Sequence, residues 1–381
     1  MADPSRAYLK AAAVKPLHIV ANRRHAEHAG RQEMHRGRLV PCVEVPARQD
    51  LVAQALGERG FALSAPEPEI AAHTQALLPR LHDPDYLSFL ASAWSRWCAL
   101  SAAQAGGDDR EHGPQQDLLP DVWPTRGMRQ DRLPDNFAAQ VGYFAFDSGS
   151  PITAGTWDAA FEGACCAVSA ARAVSRAHAA AALALTRPPG HHAGPNFFGG
   201  YCFLNNGALA AQTLRDEGFD RVAILDIDYH HGNGTQAIFE QRADVLTLSL
   251  HGDPQTEYPF FLGHADELGS GAGLGANRNW PLPRGTGFTA WRQALLEAMA
   301  VLREWGAQAL VVPMGLDTFE GDPISGFTLT RGDFDTIGAD LATLRLPTVF
   351  TLEGGYATAA IGDNAARLLS AFVANGANPT L

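Results

Sequence analysis

The chain has 381 residues, of which 46% are hydrophobic and 18% charged, a composition typical of a globular protein with a sizeable core. Its 29 basic and 41 acidic residues give a net charge of −12. That charge disfavours nucleic acid and anionic membranes as partners, because both bind clustered Lys and Arg. Lys10 and Lys15 are the only lysines, which excludes a Schiff-base or P-loop lysine from the folded body.

The five cysteines form no C-x-x-C pair, so neither a disulfide framework nor a structural zinc knuckle is expected. Free cysteines favour a cytoplasmic location. No segment offers the roughly 18 consecutive apolar residues of a membrane span. The N-terminus also lacks the apolar core of a signal peptide, so no membrane association is expected.

Residues 1–15 are predicted to be a flexible leader, and 16–381 to form one domain. The first strand is predicted over 17–21, and helical spacing is found over 48–60 and 83–100. The histidines near the N-terminus are expected at the surface: His18, His25, His28 and His35. His25 and His28 could alternatively line the rim of a site.

Residues 104–136 are polar and rich in Gly, Pro, Asp and Gln. A loop of that length in a compact domain is usually a lid, an interface or a disordered segment. The glycine-rich run over 269–277 follows no predicted strand and opens no helix, so it is interpreted as a flexible loop rather than a dinucleotide site.

From residue 156 onward, apolar strands alternate with amphipathic helices. Helices are predicted over 156–178, with Thr156 as N-cap, over 205–217, with Gly218 as the stop, and over 289–305 and 331–344. Strands are predicted over 181–186, 221–228, 245–250, 309–314 and 347–352. This alternation predicts an α/β fold with a single parallel sheet flanked by helices on both faces.

Ligands of such sheets bind beyond the carboxyl ends of the strands. Asp226, Asp228 and His230 follow one strand at spacings that place them on one face, and Asp317 follows another. Neighbouring buried carboxylates repel each other unless a cation separates them. A salt-bridged and a capping carboxylate beside a core histidine is the alternative, but the pattern favours a metal site. Three oxygen and nitrogen ligands with an open position suit catalytic Zn2+, and Fe2+, Co2+ or Mn2+ are also compatible.

His191 and His192 follow a Pro-Pro-Gly turn at a third strand end. Beside a metal, one of them could act as general base, with Asp226 and Asn233 within reach as partners that fix the ring tautomers. Solvent-exposed histidines are the alternative. Tyr356, after Gly354 and Gly355, is expected on a mobile tip from which its hydroxyl could donate to an oxyanion, although a packing role is also open.

The segments RPPGHHAG, FGGYCFLNN, DIDYHHGNGTQ, SLHGDP, GLDTFEGDP and LEGGY, in this order, resemble the histone-deacetylase-like amidohydrolases. The resemblance spans about residues 16–370. It is strongest to the bacterial acetylpolyamine amidohydrolases, through the segment over 39–44, TWDAA at 156 and SLHGDP.

The resemblance implies the arginase–deacetylase fold and a hydrolase of linear amides. It implies Zn2+ on Asp228, His230 and Asp317, with His192 as general base and acid. His191, paired with Asp226, would assist electrostatically, and Tyr356 would hold the oxyanion. A structural K+ is implied at Asp226, Asp228, His230, Ser249 and Leu250, and substrate contacts at Glu33, Gly200, Tyr201, Tyr258 and Ile324.

The implied substrate is a small N-acyl amine, foremost an acetylated polyamine. In the family, acidic residues at the tunnel mouth receive the cationic amine, and the insertion near 104–136 supports a dimer that narrows the entrance. A homodimer or homotetramer is therefore expected. Glu33 matches one acidic position, but Ala138 stands at another, which weakens recognition of an ammonium ion. Acetyl-lysine and neutral or xenobiotic N-acyl amides are therefore alternative substrates.

Two further functions are alternatives. A ureohydrolase of the arginase type needs two Mn2+ ions and further carboxylates, yet Asn233 stands where one would help. A non-catalytic, metal-dependent binder would not need the full set of catalytic side chains.

Overall fold

The computed structural model describes residues 17–104 and 116–376. The predicted leader over 1–15 and the part of the predicted insertion over 105–115 lie outside the described residues.

An eight-stranded sheet forms the centre of the molecule. Its strands are β1 (His18–Ala21), β4 (Leu63–Ser64), β5 (Ala181–Leu185), β6 (Val222–Asp226), β7 (Val245–Gly252), β8 (Asn277–Leu282), β9 (Ala309–Met314) and β10 (Thr348–Leu352). They lie in the order β4-β1-β5-β10-β9-β6-β7-β8, and each neighbouring pair is parallel. A separate antiparallel hairpin consists of β2 (Gln32–His35) and β3 (Arg38–Pro41).

Helices cover both faces of the sheet. They are α1 (Ala47–Glu58), α2 (Pro68–Leu77), α3 (Pro84–Gln104), α4 (Phe137–Phe144), α5 (Thr156–Ser175), α6 (Asn206–Asp216), α7 (Asn233–Phe239), α8 (Phe288–Trp305), α9 (Arg331–Ala342) and α10 (Thr358–Gly376). Successive residues of a strand point to opposite faces, so Ala182 and Ala184 join the core beneath α5 and α6, while Leu183 and Leu185 join the core beneath α1 and α10. The predicted single parallel sheet with helices on both faces is confirmed.

The helix over 206–216 shows how local sequence sets its boundaries. The side chain of Asn205 accepts a hydrogen bond from the backbone N–H of Ala208 at 2.8 Å, as an N-cap does. Gly218, predicted as the stop, has a φ of +107°, a conformation that residues with a Cβ rarely adopt.

Two local predictions are wrong. The N-cap of α5 is Gly155 rather than Thr156, whose hydroxyl instead accepts the N–H of Thr153 at 2.7 Å. The strand predicted over 221–228 ends at Asp226, so Asp228 and His230 lie in the turn that follows it. Strand β8, which begins at the end of the glycine-rich run, and the hairpin escaped prediction, since both are short and weakly patterned.

The N-terminal histidines are not uniformly at the surface. His35 is exposed, but His28 is only 3% exposed and its Nδ1 lies 2.9 Å from the hydroxyl of Thr156. The surface expectation is therefore wrong for His28. Among the described helices, none combines the length and apolar character needed to cross a bilayer.

Candidate active site

The polar segments that follow four of the strands meet at one edge of the sheet. Strands β5, β10, β9 and β6 are consecutive neighbours, and each of their carboxyl ends leads into one of these segments. We call the buried group at this edge the floor; it consists of His191, His192, Asp228, His230 and Asp317.

Asp228, His230 and Asp317 offer ligand atoms that all lie within 4.8 Å of one another. His230 Nδ1 is 3.0 Å from Asp317 Oδ2 and 3.4 Å from Asp228 Oδ1. Both aspartates are 0% exposed, and burial together with the charge of Asp228 raises the pKa of Asp317 to about 7. Two buried carboxylates and an imidazole that converge on one point are a donor set that fits a divalent cation.

The turn after β6 is shaped by its own carboxylates. Asp226 accepts the backbone N–H of Asp228 at 3.0 Å, and Asp228 accepts the N–H of His230 at 2.8 Å. Such side-chain bonds to the backbone two residues on replace the missing strand ladder and fix the turn. The three side chains consequently meet although the strand has ended.

Gly354 lets the next strand end approach the floor. Its N–H donates to Asp228 Oδ2 at 2.8 Å, and a Cβ at this position would lie 2.4 Å from Asp317 Oδ2. A side chain here would therefore displace both carboxylates.

The two adjacent histidines have different partners. His191 Nδ1 lies 3.0 Å from Asp226 Oδ2, and His192 Nδ1 lies 2.6 Å from Asn233 Oδ1. Burial by itself lowers the pKa of His191, but the carboxylates of Asp228 and Asp226 raise it to about 10. Burial lowers the pKa of His192 well below its ordinary value, and the charge of His191 lowers it further. One imidazole is thus charged while its neighbour is held neutral and able to accept a proton.

Tyr356 is anchored on both sides rather than placed on a free tip. Its backbone N–H donates to Asp322 Oδ2 at 2.6 Å, and the Arg48 guanidinium lies 4.7 Å from its ring centroid. The residue is 8% exposed, and burial raises the pKa of the phenol well above its ordinary value. The hydroxyl therefore stays protonated and can donate a hydrogen bond.

Above the floor, aromatic side chains form what we call the wall; it consists of Phe146, Tyr201 and Tyr258 with Gly200. The Tyr258 ring meets that of His192 edge-on at 5.2 Å, and the Tyr201 ring lies 5.5 Å from that of Tyr356. Gly200 has a φ of +54°, and a Cβ there would lie 2.1 Å from the His192 ring.

Two carboxylates hold the wall. Tyr258 donates its hydroxyl to Asp147 at 2.7 Å, and Tyr201 donates to Glu33 at 3.1 Å. Glu33 lies on β2 and is 4% exposed, and burial raises its pKa to about 7. The acidic side chain expected at a tunnel mouth is therefore buried and hydrogen-bonded to the Tyr201 hydroxyl.

Two further positions considered for substrate binding are Ile324 and Ala138. Ile324 is half-buried, with its N–H donating to Asp322 Oδ1 at 3.1 Å. Ala138 lies in the first turn of α4 and supplies no charge.

The residues predicted to bind a monovalent cation lie on β6, β7 and the turn after β6. Asp226 pairs in register with Ser249, which precedes the buried Leu250. A cavity of about 10 Å³, lined in part by Asp226 and Ser249, lies here and has room for one water-sized guest.

Prediction from the sequence missed four residues that support the site: Arg48, Asp147, Asp322 and Glu353. Asp322 and Glu353 stand within the conspicuous GLDTFEGDP and LEGGY segments, so a signal was present. Arg48 and Asp147 carry no local signal, since only tertiary contacts bring them to the site.

A family model described as the histone deacetylase domain matches residues 42–372. The chain belongs to this family. It is therefore a hydrolytic deacetylase, and the members of its family are generally metal-dependent.

Among its curated relatives, acetylpolyamine amidohydrolase 1 of Pseudomonas aeruginosa is 46% identical over 91% of this chain and 96% of its own length. Acetylpolyamine amidohydrolase of Mycoplana ramosa is 41% identical over 93% of this chain and 98% of its own length. The predicted resemblance is confirmed.

Solved structures agree on the fold. The crystal structure of acetylpolyamine aminohydrolase from Burkholderia pseudomallei matches with a TM-score of 0.83 and 36% identity, over 94% of this chain and 99% of that one. The HDA15 HD domain matches with a TM-score of 0.74 at 23% identity, over 97% of this chain and 91% of that one. The predicted arginase–deacetylase fold is confirmed.

Proposed function

We propose that this deacetylase uses Zn2+ to remove the acetyl group from acetylated polyamines. The observation that carries the proposal is the floor, where a buried Asp–His–Asp set lies beside two histidines with separate partners. The relatives named for acetylpolyamines, aligned over most of both chains, support the substrate class.

Asp228, His230 and Asp317 would hold the metal, which when bound supplies a Lewis acid that activates water and polarises the acyl carbonyl. Their two oxygens and one nitrogen leave a position open, as in catalytic zinc sites. Fe2+, Co2+ and Mn2+ accept the same donors, and the metal content of the purified protein would identify the ion.

We assign proton transfer to His192. Its Nδ1 faces the Asn233 amide oxygen, so Nδ1 carries the proton and Nε2 is free to accept one from water. The same nitrogen then protonates the leaving amine. His191, charged and paired with Asp226, supplies a positive field beside it.

Tyr356 would donate its hydroxyl to the tetrahedral oxyanion. Its anchored backbone and buried ring keep the donor in place before the reaction begins, which is what makes such a donor effective. The wall tyrosines, Tyr201 and Tyr258, would confine the acyl-amine chain between aromatic faces.

A second substrate class, neutral N-acyl amides including acetyl-lysine peptides, is favoured by the remaining predicted substrate positions. Glu33 is buried with a pKa of about 7, and Ile324 and Ala138 are apolar. The residues around the opening therefore offer little fixed negative charge to an ammonium ion.

A binuclear ureohydrolase is disfavoured, because the Asn233 amide is engaged with His192 rather than with the carboxylates of the floor. We further propose a K+ at Asp226, Asp228, His230, Ser249 and Leu250, a homodimer or homotetramer in solution, and a cytoplasmic location. The five free cysteines support a reducing compartment.

A substrate panel tests the proposal. N-acetylputrescine, N-acetylcadaverine, N-acetylspermidine, an acetyl-lysine peptide and a neutral acyl amide would be compared by kcat/KM, with metal content measured on the same samples. We expect the acetylpolyamines to have the highest kcat/KM and one divalent metal per chain. A higher kcat/KM for the neutral amide would reject the polyamine assignment, and two equivalents of Mn2+ would reject the mononuclear site.

A further inference from the structure

Glu353 is a buried acidic residue beside the floor that has no part in the proposed chemistry. It follows β10 and is 0% exposed. Its Oε2 accepts the backbone N–H groups of Gly190 at 2.6 Å and His191 at 3.1 Å, and its Oε1 accepts the Thr351 hydroxyl at 2.7 Å. The side chain is therefore hydrogen-bonded to the backbone of the turn that carries the two histidines.

The backbone of the same residue is held from the other side. Arg48 donates from Nη2 to the Glu353 carbonyl at 2.6 Å and from Nε to the Gly355 carbonyl at 2.6 Å. The same guanidinium lies against the ring of Tyr356, and Glu44 fixes it with a 2.7 Å ion pair. Glu353 thus lies between the segment of the proton-transferring histidines and the segment of the oxyanion donor.

A metal-ligand role for Glu353 is the competing explanation. His191, Cys202 and Glu353 offer ligand atoms within 4.8 Å of one another. Both carboxylate oxygens of Glu353 already accept hydrogen bonds from N–H and O–H donors. His191 Nδ1 is paired with Asp226. The Cys202 thiol donates to the Gly200 carbonyl at 3.3 Å. A cation here would break several of these buried bonds, so the contacts favour a structural link.

We propose that Glu353 is a positioning residue that fixes the His191–His192 turn relative to Tyr356. Strands β5 and β10 are paired only up to Ala184 and Thr351, and beyond them the two segments have no shared ladder. The carboxylate supplies the acceptors that the ladder no longer provides. The assignment rests on the proposed roles of His192 and Tyr356.

Two variants separate acceptor geometry from charge. Glu353→Gln keeps an amide oxygen for Gly190 and His191, and its NH2 can donate to the Thr351 hydroxyl. Glu353→Met fills similar space but accepts no N–H. Because a misplacement of about 1 Å costs roughly a hundredfold in rate, we expect kcat to fall about a hundredfold in the Met variant with KM little changed. We expect kcat of the Gln variant to stay within about fivefold of the wild-type value. That loss is smaller than the loss expected when a hydrogen bond to a charged group is broken.

The assay would use an acetyl-lysine peptide as reporter, so that the result does not depend on preference for polyamines. Wild-type turnover of this reporter tests the proposed chemistry by itself. Metal content and melting temperature would be measured for each variant, with Glu217→Met as the control, since Glu217 forms its ion pairs with Arg172 and Arg176 away from the floor.

Equal losses in the Gln and Met variants would overturn the proposal, because charge rather than geometry would then matter. Near-normal turnover of the Met variant would overturn it as well, and so would a second metal equivalent that the variants lose. If the Met variant does not fold, Thr351→Val is a second variant that tests the same proposal. This variant removes the hydrogen bond from the Thr351 hydroxyl that orients the carboxylate. We expect it to lower kcat about threefold at unchanged KM. An unchanged kcat would contradict the proposal.

Discussion

The floor and the wall of the site are built in different ways. The floor rests on the ends of neighbouring parallel strands, and its carboxylates and histidines are bound to one another and to nearby backbone. The wall collects single residues from loops and from the segment before α5. Two carboxylates, one of them on the hairpin, accept hydrogen bonds from the phenols of Tyr201 and Tyr258. Under the proposed function, the floor would determine the chemistry and the wall would determine which amide reaches it.

The largest effect is expected from the metal ligands. Asp317→Ala removes one of two buried carboxylates, so we expect loss of the bound divalent metal and activity at background. Metal analysis and a deacetylation assay check this, and chelation of wild type followed by addition of Zn2+ should abolish and then restore turnover. Full activity in the metal-free variant would show that the floor does not act through a metal.

The next effect is expected from His192→Ala. Positioned general acid–base groups contribute about 10²–10⁴-fold, so kcat should fall by that order while the metal stays bound. Steady-state kinetics with metal analysis measure both. His35→Ala, which changes an exposed histidine, is the matched control and should behave as wild type. Equal kcat values in the two variants would show that His192 takes no part in the reaction.

A somewhat smaller effect is expected from Tyr356→Phe. Loss of one oxyanion donor costs about 10²–10³-fold in kcat, and the fold and metal content should not change. Tyr143→Phe is a matched control, because that hydroxyl donates to the Gln130 carbonyl outside the site. Near-normal turnover of the Tyr356 variant would refute its assigned role.

The smallest effect is expected from Glu33, which accepts the hydroxyl of the wall residue Tyr201. Its pKa of about 7 means that the carboxyl gains negative charge as pH rises through that value. For a cationic acetylpolyamine, KM should therefore fall by at most about fivefold across this range, whereas KM for a neutral amide should stay level.

Glu33→Gln should remove that pH dependence. The same pH profile for both substrates in wild type would show that Glu33 does not sense the ammonium group, and would shift the choice toward neutral amides.

Much of the sheet follows from apolar runs bounded by polar or glycine residues. The strands near 181, 222, 245, 309 and 348 were predicted because each is a continuous buried segment, as parallel strands between two helical layers must be. The hairpin and the two-residue β4 were missed, because a few half-exposed residues give too little pattern. Asp228 shows a different failure: its direction is set by a turn that side-chain bonds stabilise, and not by strand alternation.

By itself, the sequence determined the order of the strands along the chain and the chemical groups that follow them, because burial demands continuous apolar runs and polar residues then mark the strand ends. Only the tertiary structure decided which side chains share a partner. Glu353, Arg48 and Asp147 reach the site across long separations in the chain, and no local periodicity records such contacts. The burial of Glu33 was likewise decided by packing. Its carboxyl loses contact with water, and its pKa rises, only when the hairpin lies against the wall and Tyr201 donates to it.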